Sequence, residues 1–135
     1  MPLISWDEKY SVGFDLIDEQ HKRLFDLTNG LHDAVMVRSA DSAMGRSLRD
    51  LVEYTVYHFA AEEELMRANN YPTFTEHKAL HDALTRQAAD FKDQVEAGKK
   101  VSSLAFMQFL REWLTRHIME VDSALGAFLA SKGRG

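Results

Sequence analysis

Four runs of apolar residues at helical spacing, separated by short polar stretches, leave this chain few folds to choose from. The first runs through His21, Leu24, Phe25, Leu31 and Val35, with Thr28 as its polar member. The second carries Leu48, Leu51, Val52, Phe59, Leu65 and Met66. The third reads Phe74, His77, His81, Leu84, Ala88, Phe91 and Val95. The fourth reads Met107, Leu110, Trp113, Leu114, His117, Val121, Leu125 and Phe128. Each run forms a single stripe on a helix, and a helix with one apolar stripe must bury it against others. Prolines occur only at positions 2 and 72, so little interrupts the helices. Short connections between four such helices predict an all-α, up-down-up-down antiparallel four-helix bundle.

The punctuation gives approximate bounds. Residues 1–17 lack a clean period and are expected to be an extended N-terminal arm that packs on the core through Trp6. Helices are expected at about 18–37, 41–68, 73–97 and 102–130. Asp41 or Ser42 is the expected cap of the second helix, and Ser102 or Ser103 that of the fourth. Asn69-Asn70-Tyr71-Pro72 breaks the second helix, and Thr73 with Glu76 has the spacing of a capping box. No repeat or low-complexity segment divides the chain, so residues 1–135 are read as one domain, a length able to enclose a core.

Composition then removes function classes. A formal net charge of −5 disfavours nucleic acid as a partner. The absence of cysteine excludes disulfides, thiol catalysis and cysteine-held metals. No apolar run approaches the ~18 residues that span a bilayer, and the N-terminus lacks the pattern of a signal peptide. The expectation is a cytoplasmic protein. With every stripe used inside one bundle and no second apolar face, it is also expected to be a monomer.

The polar members of the stripes carry the chemistry. Six histidines occur, and His21, His58, His77, His81 and His117 lie on the inward stripes of all four helices. One such imidazole is usually a hydrogen-bonded core residue, but five sharing one core would leave many ring nitrogens unsatisfied unless they share a partner. Imidazoles and carboxylates converging inside a bundle are the ligands of zinc, iron, copper or manganese. Among Glu62, Glu63 and Glu64, only Glu62 lies about 40° round from His58 on a regular helix. Glu62 is therefore the inward carboxylate, and its two neighbours are expected to be solvated or at the boundary. His32 shares the face of His21 but stands roughly 16 Å away along the axis, too far to join the same site.

These residues fall into a recognisable order. The segments Ile17-Asp-Glu-Gln-His21, His58-Phe-Ala-Ala-Glu-Glu63, His77-Lys-Ala-Leu-His81 and Trp113–Asp122 resemble the hemerythrin family, in particular its single-domain bacterial members. Trp6, the Ser11-Val-Gly13 stretch and Tyr71-Pro72 also match, so the resemblance covers nearly the whole chain. It implies a non-haem centre of two iron ions per chain. One iron would be held by His77, His81 and His117, the other by His21 and His58, with Glu62 and Asp122 bridging. Asp122 conflicts with regular geometry, because five residues beyond His117 a helix has turned about 140° away. Glu120 or Val121 would suit the wheel better. A local π-type widening would reconcile the two, and such bulges occur frequently at functional sites.

With an oxo or hydroxo bridge added, this ligand set leaves one open position, on the iron held by His21 and His58. The resemblance thus implies reversible binding of dioxygen there, as a carrier, storage or delivery protein, with nitric oxide and small anions as other ligands. Phe59, Trp113, Leu114 and Ile118 match the apolar positions that line the family's ligand pocket, and Leu24 is a further wall. No Glu-x-x-His occurs in the sequence, and the implied shell holds five neutral imidazoles against two carboxylates. That balance disfavours the oxidative chemistry of carboxylate-rich di-iron enzymes, so the chain is read as a binder and not an enzyme. The alternatives are a sensor of oxygen, redox state or nitric oxide, a peroxidase-like enzyme on the same scaffold, and a store for zinc or another metal.

Overall fold

The computed structural model describes residues 3–36, 41–98 and 103–132. Four antiparallel helices form the bundle: α1 (Asp15–Met36), α2 (Asp41–Ala68), α3 (Phe74–Glu96) and a fourth that begins as α4 (Ser103–Arg116). A π turn over His117–Asp122 carries α4 without a break into α5 (Ser123–Ser131). No strand occurs among the described residues. Helix α2 packs between α1 and α3, and α1 also meets α4, which closes the bundle.

Helix α1 starts at Asp15, earlier than the stripe suggested, because Ile17 stands one turn before His21 and is itself buried. Gly13 turns the chain into this helix with a φ of +79°, a conformation that favours glycine. The Asp18 carboxylate then ties the turn down, accepting from the Ser11 hydroxyl at 2.6 Å and the Val12 N–H at 2.9 Å. The arm is accordingly not wholly extended. It contains a 3-10 turn at Glu8–Tyr10, capped by the Asp7 carboxylate. Trp6 packs on the core as expected, against Tyr10 and Phe25.

Helix α2 ends through Asn70, whose φ of 54° puts it in the left-handed region. The N–H of Tyr71 then reaches the Met66 carbonyl and that of Asn70 the Arg67 carbonyl, satisfying the last turn. The Thr73 capping box does not form. With ψ at 33° the Thr73 side chain makes no cap hydrogen bond, and its carbonyl accepts the His77 N–H instead. The side chains of Asp41 and Ser42, and all of Ser102, lie outside the described residues. Ser103 is the first residue of α4.

Two apolar clusters fill the bundle. Toward the arm, Ile4, Tyr10, Val12, Ile17, Phe25, Met66, Ile118, Leu125 and Leu129 pack together. Toward the other end, Leu24, Leu31, Leu48, Leu51, Phe59, Leu84, Met107, Leu110 and Leu114 do the same. Each such buried side chain contributes about 1.5–3 kcal/mol of transfer free energy. The arm lies close on α5 at Gly126, where any Cβ would overlap the Val12 carbonyl. Between the two apolar clusters the helices carry buried histidines and carboxylates.

Candidate metal centre

Seven ionisable side chains from all four helices meet in the middle of the bundle. His21 comes from α1, His58 and Glu62 from α2, His77 and His81 from α3, and His117 and Asp122 from the π turn. Each is at most 5% exposed. His58 with Glu62, and His77 with His81, meet the centre through the four-residue repeat of a regular helix. Asp122 reaches it through the π turn, in which the Ser123 N–H bonds to the Ile118 carbonyl, five residues back. Widening the turn cancels the angular misfit. It buries Asp122 and leaves Glu120 exposed and Val121 half-buried.

The carboxylate oxygens divide the histidines into two sets. Glu62 Oε1 lies 3.3 Å from His77 Nε2 and 3.1 Å from His81 Nε2. Its Oε2 lies 3.4 Å from His21 Nε2 and 3.1 Å from His58 Nε2. Asp122 repeats the division: Oδ1 is 3.1 Å from both His77 and His117, and Oδ2 is 3.0 Å from His21. Two groups of converging donor atoms result, one of His77, His81 and His117 and one of His21 and His58, and both include Glu62 and Asp122.

These contacts are close but poorly directed. The Nε2 atoms of His21, His77, His81 and His117, both Glu62 oxygens and Asp122 Oδ1 find no aligned hydrogen-bond partner. Buried polar atoms are seldom left this way, and lone pairs that converge on shared points suit cations. The residues therefore fit a pair of metal ions. Two imidazoles are also held from outside. His58 Nδ1–H donates to Gln20 Oε1 at 2.6 Å, and His81 Nδ1–H donates to Glu63 Oε2 at 3.0 Å. In the neutral imidazole each bond keeps the proton on Nδ1, so that Nε2 can offer its lone pair to a metal ion.

Without a metal, protons balance the charge. Burial lowers the pKa of His21 and His77, but their contacts with Asp122 and Glu62 outweigh it and raise both from 6.5 to about 9. Burial raises Glu62, yet the charge of His58 and the contacts with His21, His58 and His77 bring it well below the usual range. Asp122 is raised by burial and by Glu62, and His117 and His21 more than reverse this. A metal ion would displace these protons.

The expected pocket residues fall into two groups. Phe59 stacks flat on His81, with ring centroids 3.8 Å apart, and Trp113 stacks on His117 at 4.3 Å. Leu24 and Leu114 are buried in the same apolar cluster as Phe59. Ile118 is not with them and belongs to the cluster on the arm side. A surface cleft of about 360 Å³ borders Trp113 and His117, but the other four pocket residues do not line it. His32 is half-buried on α1 and takes no part. Glu64 is 73% exposed beside Arg67, as expected. Glu63 lies at the boundary, 13% exposed, and its carboxylate turns toward His81, a contact the sequence reading did not include. The signal for it was available in the sequence, since Phe59 and Glu63 repeat the spacing of His58 and Glu62 one residue later.

Residues 12–129 match the family model described as the hemerythrin HHE cation binding domain. A bacteriohemerythrin of Methylococcus capsulatus is 35% identical over 132 residues, covering 97% of this chain and all of that protein. One from Stenotrophomonas maltophilia is 35% identical over 92% of this chain and 80% of its own length. A solved wild-type hemerythrin structure superposes with a TM-score of 0.89 at 35% identity, covering 94% of this chain and 98% of that one. No helix among the described residues is long and apolar enough to cross a membrane.

Proposed function

The chain belongs to the hemerythrin family, and from that premise we propose that it binds dioxygen reversibly at two iron ions. His77, His81 and His117 would hold one ion and His21 and His58 the other, with Glu62 and Asp122 between them. The observation that supports this most is the division of both carboxylates, each with one oxygen toward two of the three histidines His77, His81 and His117 and the other toward His21, joined by His58 at Glu62. A bound iron pair supplies the electrons that dioxygen takes up and later returns.

The chain's own residues do the rest. Glu62 and Asp122 would offset part of the charge of the two cations inside the bundle. The imidazoles of His58 and His81 are held as neutral donors by Gln20 and Glu63. Phe59, Trp113, Leu114 and Leu24 wall the site on one side and Ile118 on the other, and an apolar wall keeps out the water that would make oxidation irreversible. The imbalance of five imidazoles over two carboxylates supports binding in preference to oxidative turnover, so the role proposed is that of a non-enzymatic carrier. Among the described residues, the exposed large apolar side chains of Leu16, Val56, Tyr57, Leu80, Leu104 and Met119 are spread over every helix of the bundle, which supports a monomer.

The test is an anaerobic titration of the metal-free protein with ferrous iron, followed by air and then by removal of oxygen. Two irons per chain, matching the two donor groups, and a visible band that forms in air and fades on deoxygenation are expected. Irreversible oxidation would favour a sensor, and sustained consumption of peroxide or nitric oxide would favour an enzyme. Failure to take up iron would overturn the reading.

A further inference from the structure

Two pairs of side chains are interleaved on α2, offset by a single residue. His58 and Glu62, four apart, point into the centre. Phe59 and Glu63, also four apart, both reach across to His81 of α3. The Phe59 ring lies parallel to the imidazole, at 2° and 3.8 Å between centroids, and so sets its plane. Glu63 Oε2 accepts the Nδ1–H at 3.0 Å, which sets the rotation of the ring within that plane and its tautomer. Turning the ring over would break the hydrogen bond and take Nε2 away from Glu62. The other histidines are held less fully. His58 has the Gln20 oxygen but no ring stacked flat on it, and Nδ1 of both His21 and His77 is buried without a partner.

We infer that Glu63 is a positioning residue, whose carboxylate holds His81 in the one orientation and tautomer that presents Nε2 to the three-histidine group. The inference rests on the metal-site reading proposed above. It makes His81 the preorganised ligand of that group, clamped on two sides by one neighbouring helix. A preorganised ligand gives up less freedom when the ion arrives, and outer hydrogen bonds of this kind typically carry a 10–100-fold effect on metal affinity.

The test uses Co2+ as the probe, because its visible absorption reports both affinity and ligand geometry without any oxygen chemistry. The metal-free full chain is titrated with Co2+ against a competing chelator, as wild type and as Glu63→Ala, Glu63→Gln and Glu64→Ala. Glu63→Ala should bind about 10–100-fold more weakly with an altered cobalt spectrum. Glu63→Gln keeps an acceptor oxygen and should restore both affinity and spectrum, and Glu64→Ala should match wild type. Wild-type affinity in Glu63→Ala would overturn the inference. So would a Glu63→Gln protein as weak as Glu63→Ala, since charge and not orientation would then be at work. If Glu63→Ala does not fold, nitrogen-15 NMR of the zinc-loaded wild type decides: a slowly exchanging, downfield His81 Nδ1–H supports the inference, and rapid exchange overturns it. A wild type that binds no Co2+ would instead refute the metal-site reading itself, which keeps the two failures distinct.

Discussion

Asp122 Oδ1 lies 3.1 Å from His117 Nε2, although the two residues are five apart on one helix. Only the π turn between them allows it, and the same turn lets Asp122 face His21 and His77. Because its oxygens serve both donor groups, Asp122→Ala should impair both. Metal analysis of the purified protein should show at most one tightly held ion per chain, against two for wild type.

Histidine position, and not histidine content, should decide metal binding. His117→Ala removes a donor atom from the three-histidine group and opens a space beneath Trp113, which stacks on that ring. It should weaken Co2+ binding at least ~10-fold and lower stability by about 1–3 kcal/mol. His32→Ala should leave Co2+ binding unchanged. Loss of the site in His32→Ala would contradict its placement away from the centre.

The metal-free protein should lose stability on both sides of a mildly acidic optimum. His21 and His77 are raised to about 9 from 6.5, so their contribution is complete below 6.5 and is lost as pH climbs to 9. Glu62 and Asp122 are lowered, so theirs is present above the ordinary values of 4.5 and 3.8 and is lost as the solution turns acidic. Thermal unfolding of the metal-free chain should peak between about pH 5 and 6.5 and fall by roughly 5 °C or more by pH 9. Metal loading should flatten the alkaline limb, because ligated nitrogens carry no proton to lose.

Gly126→Ala should loosen the arm. The added Cβ meets the Val12 carbonyl, which is backbone and cannot swing aside. Stability should drop by about 1–3 kcal/mol in chemical denaturation. Emission from Trp6, packed on Phe25, should shift toward that of an exposed indole. An unchanged spectrum would mean that the arm does not depend on this contact.

Much of the centre was legible because it follows the regular repeat of a helix. His21, His58, Glu62, His77, His81 and His117 all sit on apolar stripes, and the stripes alone bring them to one level of a bundle. Asp122 was not legible from angles, since a π turn changes the very period on which the wheel relies; only likeness to a family pointed to it. Glu63 escaped for a related reason. Its angle excludes it from the centre, but a side chain can serve a buried ring from outside, and the wheel does not represent the neighbouring helix. Thr73 shows the limit of short motifs: the capping-box letters are present, while the backbone before α3 does not take the conformation that the cap requires. The start of α1 was missed because Asp15 and Leu16 are exposed and the stripe there rests on Ile17 alone.

The seven central side chains are nearly inaccessible to solvent, and they come from every helix of the bundle. An ion held there would leave or be replaced only as fast as the packed helices give way around it. Its residence time would measure how often the bundle parts, so isotope exchange of a spectroscopically silent metal would serve as a clock for that motion. The same motion would set how quickly the metal-free chain fills, so uptake and exchange should slow together in any variant that tightens the bundle.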